Sequence, residues 1–167
     1  PGAAQSWTIS PDGKVYTFKL RADAKWSNGD PVTAEDFAFS FRRLQDPATA
    51  GKYAAVLYPV KNAEKVNKGQ LPPAELGVRA VDPLTFEVTL EAPTPYFIQL
   101  LTHSTGLPVH PASVQKFGKD WVKAENIVSN GPYRLKEFVP SSHIRLERNP
   151  TFHAAASVKI DAVVFYP

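Results

Sequence analysis

RADAKWSNGDPVTAEDF, residues 21–37, contains the end of a strand, a reversal of the chain and the start of a helix. Asn28 and Gly29 favour the reversal because both residue types tolerate a positive φ. Thr33 is a typical N-cap residue, since its side-chain oxygen can accept from a free amide of the first helical turn. The stretch therefore predicts a strand, a tight turn and a helix in immediate succession.

The helix that follows Thr33 is the most strongly patterned element of the chain. Its first turn holds Glu35 and Asp36, where carboxylates offset the positive end of the helix dipole. Asp46 and Pro47 predict its end, because the residue before a proline is disfavoured in the α region. Adjacent helical residues point in different directions, so we interpret the two carboxylates as helix capping and not as a catalytic pair.

Alternation of apolar and polar residues predicts antiparallel hairpins around this helix, and hence an α+β fold of hairpins and short helices. The predicted strands cover residues 15–20, 78–81, 86–91, 133–138 and 143–148; further helices are predicted at residues 112–121 and, buried, at 96–101. A continuously apolar run at residues 160–166 predicts a strand at the centre of a sheet, with partners beyond this chain. Gly106, Pro108 and Pro111 interrupt the pattern and predict a domain crossing at residues 102–111.

The composition is that of a globular protein with a hydrophobic core: 43% of the 167 residues are hydrophobic and 21% are charged. No apolar run approaches the about 18 residues that cross a membrane. The sequence starts without a methionine or a secretory leader, so we expect a segment of a longer chain whose targeting sequence lies upstream.

The sequence lacks the residue patterns that are typical of metal binding, catalysis and nucleic-acid binding. The chain has no cysteine, and its four histidines do not follow a metal-ligand spacing, so we expect no metal and no cofactor. Ser104 follows His103, but no GxSxG motif surrounds it, and adjacent residues rarely converge as nucleophile and base, so we expect no enzyme. The net charge of +3 includes a lysine cluster interrupted by Glu64, which we interpret as a solvated loop and not a nucleic-acid site. The lysines of this cluster are Lys52, Lys61, Lys65 and Lys68.

The order and spacing of several short motifs resemble the peptide-binding branch of the extracellular solute-binding proteins, family 5. The motifs are YTFKLR at residues 16–21, KWSNG at 25–29, VTAEDF at 32–37, DP at 46–47, LGV at 76–78, TFEVTL at 85–90, PYF at 95–97, NIVSNGPY at 126–133 and LERNP at 146–150. Each motif alone is weak evidence, but together they cover nearly the whole chain.

The resemblance implies a two-lobed periplasmic binding protein of type II, cluster C, that closes over an extended peptide. Residues 1–110 would be a small extra domain inserted in lobe one, and residues 111–167 a partial return into lobe one, with the second lobe absent from this chain. The implied function is capture of oligopeptides in the periplasm, after export by a signal peptide, and delivery to an ABC permease. A non-transport interaction or sensing module of the same fold is the alternative. Dipeptide, oligopeptide, murein-peptide, haem and nickel ligands all stay open.

The resemblance also suggests ligand-binding residues. Tyr53 matches a segment whose aromatic hydroxyl lies near the peptide's N-terminal end, although it could equally be a packing tyrosine with its hydroxyl in water. Asn130 and Gly131 can adopt unusual backbone angles and predict a shaped turn at the cleft mouth, a structural role more than a ligand contact. His103 and Ser104 are weaker candidates for lining a side-chain pocket.

The last strand predicts one further property. An unpaired strand edge is a template for pairing with another chain, so we expect that a dimer without physiological meaning could form through it.

Overall fold

The computed structural model describes residues 2–167 and divides into two compact units. The first unit contains the chain up to Arg21 together with Thr33–Pro108, and the second contains Ala22–Val32 together with Val109–Pro167. The sequence predicted two consecutive segments. It did not predict that residues 22–32 pack with the later part of the chain. The assignment of residues 1–110 and 111–167 to parts of a larger lobe stays a prediction.

A four-stranded antiparallel sheet forms one layer of the first unit. Its strands are β1 (Ala4–Ile9), β2 (Val15–Leu20), β3 (Val78–Asp82) and β4 (Thr85–Thr89), in the order β1-β2-β4-β3. In β2, Tyr16, Phe18 and Leu20 are buried while Thr17 and Lys19 point to the other face, as the alternation predicts. Both predicted hairpins of this unit are confirmed.

Helix α1 (Ala34–Gln45) packs against β3 and β4 and closes the core of the first unit. The backbone N–H of Thr33 donates to the Asp36 carboxylate at 2.8 Å, which satisfies a free donor at the helix start. Phe41, almost fully buried, meets the ring of Phe86 on β4 edge-on at 5.4 Å between centroids. The predicted start and end of this helix are confirmed.

Short helices complete the first unit. They are the α-helices α2 (Ala63–Asn67) and α3 (Phe97–Leu100) and the 3₁₀ turns Pro47–Thr49, Ala54–Leu57, Pro73–Glu75 and Ser104–Gly106. The expectation of a buried helix at residues 96–101 holds only for Phe97, because Tyr96 and Gln99 are exposed. The lysine cluster is exposed, as expected for a solvated face, and Lys68 pairs with Glu64 at 2.6 Å.

The second unit contains a three-stranded antiparallel sheet and one further helix. The elements are β5 (Tyr133–Val139), β6 (His143–Arg148), β7 (Ala162–Phe165) and α4 (Pro111–Phe117), with 3₁₀ turns at Gly118–Val122 and Ala155–Ser157. The predicted hairpin of β5 and β6 is confirmed. The prediction of a central last strand with partners beyond this chain stays a prediction: within residues 2–167, β7 pairs with β6 alone and forms the sheet edge.

The loop at residues 22–32 is held inside the second unit by its backbone. Ser27 donates its N–H to the carbonyl of Ser129 at 2.7 Å, and the Thr151 hydroxyl donates to the carbonyl of Trp26 at 2.9 Å. The Trp26 side chain is almost fully buried and packs edge-on against His110. Gly29 has a φ of 97°, which is the positive φ that the Asn-Gly pair predicts.

Candidate functional site

Tyr53 lies on the surface of the first unit, at the end of a loop that follows α1. Its side chain is 63% exposed, and no residue within 2–167 forms a hydrogen bond with its hydroxyl. The loop contains Ala50 in the left-handed region, at a φ of 51°, an uncommon conformation for a residue with a Cβ. An exposed aromatic ring with a free hydroxyl offers both stacking area and a hydrogen bond to a ligand.

His103 lies against Tyr53. The two ring centroids are 5.4 Å apart and the ring planes meet at 63°, an edge-to-face contact. The Nδ1 atom of His103 accepts from the backbone N–H of Thr105 at 3.3 Å. An imidazole nitrogen that accepts carries no proton, so the proton of the neutral ring lies on Nε2. No residue in the described part of the chain bonds Nε2, which therefore is a second donor beside the Tyr53 hydroxyl.

Ser104 begins the 3₁₀ turn Ser104–Gly106 and is exposed. This turn contacts the 3₁₀ turn that follows Tyr53, Ala54–Leu57, so the two segments support each other. Gly106 is required there, because an added Cβ would lie 2.7 Å from the carbonyl oxygen of Leu101. The structure thus brings three of the five predicted ligand residues to one surface: Tyr53, His103 and Ser104.

Asn130 and Gly131 belong to the second unit. Neither residue has a positive φ, and the shaped turn at the cleft mouth stays a prediction. Their segment is held by Asn149, which is fully buried. Asn149 donates from Nδ2 to the carbonyl of Gly131 and from its backbone N–H to the carbonyl of Pro132, both at 2.9 Å. These bonds support a structural role, and ligand contact by Asn130 and Gly131 stays a prediction.

A second polar cluster, in the second unit, consists of Asp30, His110 and Ser113. The Nε2 atom of His110 lies 3.0 Å from Asp30 Oδ2, and its Nδ1 lies 2.9 Å from the Ser113 hydroxyl and accepts from the Ser113 N–H. The Asn28 amide, and then His110, hold the pKa of the Asp30 carboxyl below its ordinary value of 3.8. Ser113 is 5% exposed and its N–H is capped by the same histidine, so the cluster fastens α4 and offers no open nucleophile.

The Tyr53, His103 and Ser104 side chains offer stacking area and hydrogen-bonding groups to a ligand. The Nδ1 atom of His103 is bonded to Thr105 and not to its neighbour Ser104. In the described residues, no group of three or more His, Asp or Glu side chains could hold a metal ion. No helix within residues 2–167 is long and apolar enough to cross a membrane.

Gln45 is a residue of this site that sequence reasoning missed. It is the last residue of α1, fully buried, and its Nε2 donates at 2.9 Å to the carbonyl of Ala54, the residue after Tyr53. A buried amide at a helix end has no distinctive spacing in the sequence, and its partner lies in a different element. Only the folded chain shows it.

Comparisons with known proteins agree with the folded chain. The family described as "Bacterial extracellular solute-binding proteins, family 5 Middle" matches residues 1–167. The periplasmic oligopeptide-binding protein OppA of Escherichia coli K12 is 46% identical over 169 residues, covering 100% of this chain and 31% of OppA. The periplasmic murein peptide-binding protein MppA of the same strain is 39% identical, with 100% and 31% covered.

Among solved structures, Haemophilus influenzae OppA in complex with RPPGFSPFR superposes with a TM-score of 0.97 at 49% identity. The match covers 99% of this chain and 33% of that one. The chain therefore spans about a third of the length of the relatives it matches.

Proposed function

The chain belongs to family 5 of the bacterial extracellular solute-binding proteins, and we propose that it is part of a periplasmic protein that captures oligopeptides. The single observation that carries the proposal is the exposed Tyr53–His103 pair, on a chain that matches an oligopeptide-binding protein from end to end. The Tyr53 hydroxyl would bond the peptide near its N-terminal end. His103 and Ser104 would line a side-chain pocket, and Asn130 and Gly131 would shape the cleft mouth.

Capture would depend on closure of two lobes around the peptide. A ligand shifts a protein toward the closed state only through contacts that it makes better in that state. Bonds to the peptide backbone suit any sequence, and side-chain pockets then add only modest selectivity. The full-length protein would carry a signal peptide, release its peptide to an ABC permease and catalyse no reaction.

Native mass spectrometry of the full-length protein, purified from the periplasm, tests the proposal. We expect a series of bound species whose masses correspond to peptides, lost after denaturation and refolding. A non-peptide ligand, such as haem, nickel or a bile acid, would contradict it. A protein that binds no ligand, but retains a protein partner, would instead favour the interaction or sensing module.

Two properties are expected of the 167-residue chain on its own. It should bind peptide weakly or not at all, because one side of the closed cleft is missing, and tight binding in calorimetry would contradict this.

The 167-residue chain is also expected to dimerise through β7, since that edge strand presents free backbone donors and acceptors. Sedimentation equilibrium would show a monomer if this expectation is wrong.

A further inference from the structure

Gln45 has an unusual environment for a polar side chain. The residue is fully buried at the end of α1, and within residues 2–167 its Oε1 atom has no hydrogen-bond partner. A buried amide oxygen without a partner disfavours the fold, so an apolar side chain of similar size would suit a core position better. The Nε2 atom, in contrast, makes a well-formed bond of 2.9 Å to the carbonyl of Ala54. The Gln45 side chain therefore stabilises the loop that contains Ala54 more than it stabilises the core.

The same end of α1 is held from a second side. The Tyr58 hydroxyl donates to Asn67 Oδ1 at 2.8 Å, and Asn67 Nδ2 donates to the backbone carbonyl of Gln45 at 3.3 Å. Gln45 thus lies between α2, which ends at Asn67, and the 3₁₀ turn that begins at Ala54. This network fixes the position of the Gln45 backbone. The bond from the Gln45 side chain therefore holds the Ala54 carbonyl in a fixed position.

The loop between α1 and Tyr53 is fixed at its start as well. Gly51 lies against Leu44 so closely that an added Cβ would be 3.0 Å from the Leu44 carbonyl oxygen. Ala50, just before it, is in the left-handed conformation. The bond from Gln45 to Ala54 fixes the other end of the loop. Among the described residues, the Tyr53 ring meets one other ring, that of His103, and the Tyr53 carbonyl accepts from the Val56 N–H at 3.1 Å, so the orientation of the ring depends on these backbone anchors.

We propose that Gln45 is a positioning residue for the peptide-binding tyrosine: its bond to the Ala54 carbonyl sets the direction of the Tyr53 ring against His103. The expected effect on peptide affinity rests on the proposed function. The effect of Gln45 on the orientation of the Tyr53 ring does not depend on it. Gln45 touches no ligand and acts through the backbone that follows Tyr53.

A double-mutant cycle in the full-length protein tests the effect on binding, with RPPGFSPFR as the calorimetric probe. Gln45→Leu is expected to weaken binding by up to about threefold to tenfold in the wild-type background, no more than loss of the Tyr53 hydroxyl itself, and not at all in the Tyr53→Phe background. An equal loss in both backgrounds, or no loss in either, would overturn the proposal. The matched control is Gln70→Leu, an exposed glutamine in the same unit, which should leave affinity unchanged.

A second measurement separates this inference from the proposed function. In the peptide-free full-length protein with labelled Tyr and His rings, a nuclear Overhauser effect should connect Tyr53 and His103. We expect Gln45→Leu to weaken this signal and Gln70→Leu to retain it; an unchanged signal in Gln45→Leu overturns the inference. A weakened signal in a protein that binds no peptide supports the positioning role and overturns the proposed function.

Discussion

The ring of Tyr53 meets the imidazole of His103 edge-on, with 5.4 Å between centroids, although fifty residues of chain separate them. The contact places a hydroxyl and an imidazole N–H side by side on an exposed surface of the first unit. Neither group has a partner among the described residues, so both are free to bond a ligand.

Replacement of Tyr53 by phenylalanine removes the hydroxyl and retains the ring. Because one hydrogen bond to a ligand contributes about 0.5–1.5 kcal/mol, we expect peptide affinity to fall by about threefold to tenfold. The melting temperature should not change, since the side chain is mostly exposed. Calorimetry and thermal unfolding of the full-length protein measure both quantities. Tyr96→Phe, at another exposed tyrosine of the first unit, is the control, and an equal loss there would argue against a specific role for Tyr53.

The contact of Tyr53 with His103 could not be predicted from the sequence, whereas helix α1 could. The start and end of α1 depend on Thr33, Asp36 and Asp46, whose effects act within one helical turn. The strand order β1-β2-β4-β3 and the approach of His103 depend on distant packing, which leaves no local pattern. The resemblance to a family suggested Tyr53, and the position of His103 near the predicted domain crossing suggested that residue separately, without their contact.

Other differences from the sequence predictions have equally physical reasons. The residue types of Asn130 and Gly131 predicted a shaped turn, but not that the side-chain amide and the backbone N–H of Asn149 hold this segment. An apolar run such as residues 160–166 indicates burial and cannot show how many strands pair with it. Gln45 carried no signal, because a glutamine at a helix end is usually a solvated residue.

Asn149→Ala should strongly destabilise the second unit. The change leaves the part-buried carbonyl of Gly131 without its 2.9 Å donor and removes the Oδ1 atom that accepts from the backbone N–H of Thr151 at 3.2 Å. An unpaired buried group costs about 1–3 kcal/mol, and these two groups are part-buried, so the free energy of unfolding should fall by about 2 kcal/mol. Urea denaturation measures it. Asn126→Ala, at a half-buried asparagine of the same unit whose bond to the Asp120 carbonyl is exposed, should cost less than about 1 kcal/mol, and similar losses for both variants would contradict this account.

Gly106→Ala should disturb the turn that supports Ser104. The new methyl group would lie 2.7 Å from the Leu101 carbonyl oxygen and 3.0 Å from its Cα, so the backbone must move. We expect a loss of about 1–3 kcal/mol in the free energy of unfolding, as for other overpacked sites. Gly131→Ala is the comparison, because the nearest atom to its added Cβ is 4.0 Å away. A wild-type stability for Gly106→Ala would show that the turn is more adaptable than the structure indicates.

Asp30 should make the second unit sensitive to acid. Its pKa is held below the ordinary 3.8 by the Asn28 amide and by His110, so the folded state favours the ionised carboxyl. A carboxyl whose pKa is lowered in the folded state stabilises the fold fully at a pH above its pKa in the unfolded state. This stabilisation is lost as the pH falls through the pKa of the folded state.

We therefore compare urea unfolding of wild type and Asp30→Asn between pH 5 and pH 3. The stability advantage of the wild type should be constant near pH 5 and shrink below about pH 4. Glu125→Gln, at an exposed carboxylate of the same unit, controls for the change in net charge. An advantage for the wild type that does not change down to pH 3 would contradict the lowered pKa that the Asn28 amide and His110 give to Asp30.

The central claim is that this chain provides part of an oligopeptide-binding surface centred on Tyr53. Isothermal titration of the full-length protein with RPPGFSPFR, and with shorter peptides down to a dipeptide, tests it most directly. We predict one peptide bound per protein with a Kd of about 1 µM or tighter for at least one length, weakened by Tyr53→Phe. No binding at any length by a folded protein, or binding that Tyr53→Phe and Tyr53→Ala leave unchanged, would contradict the claim.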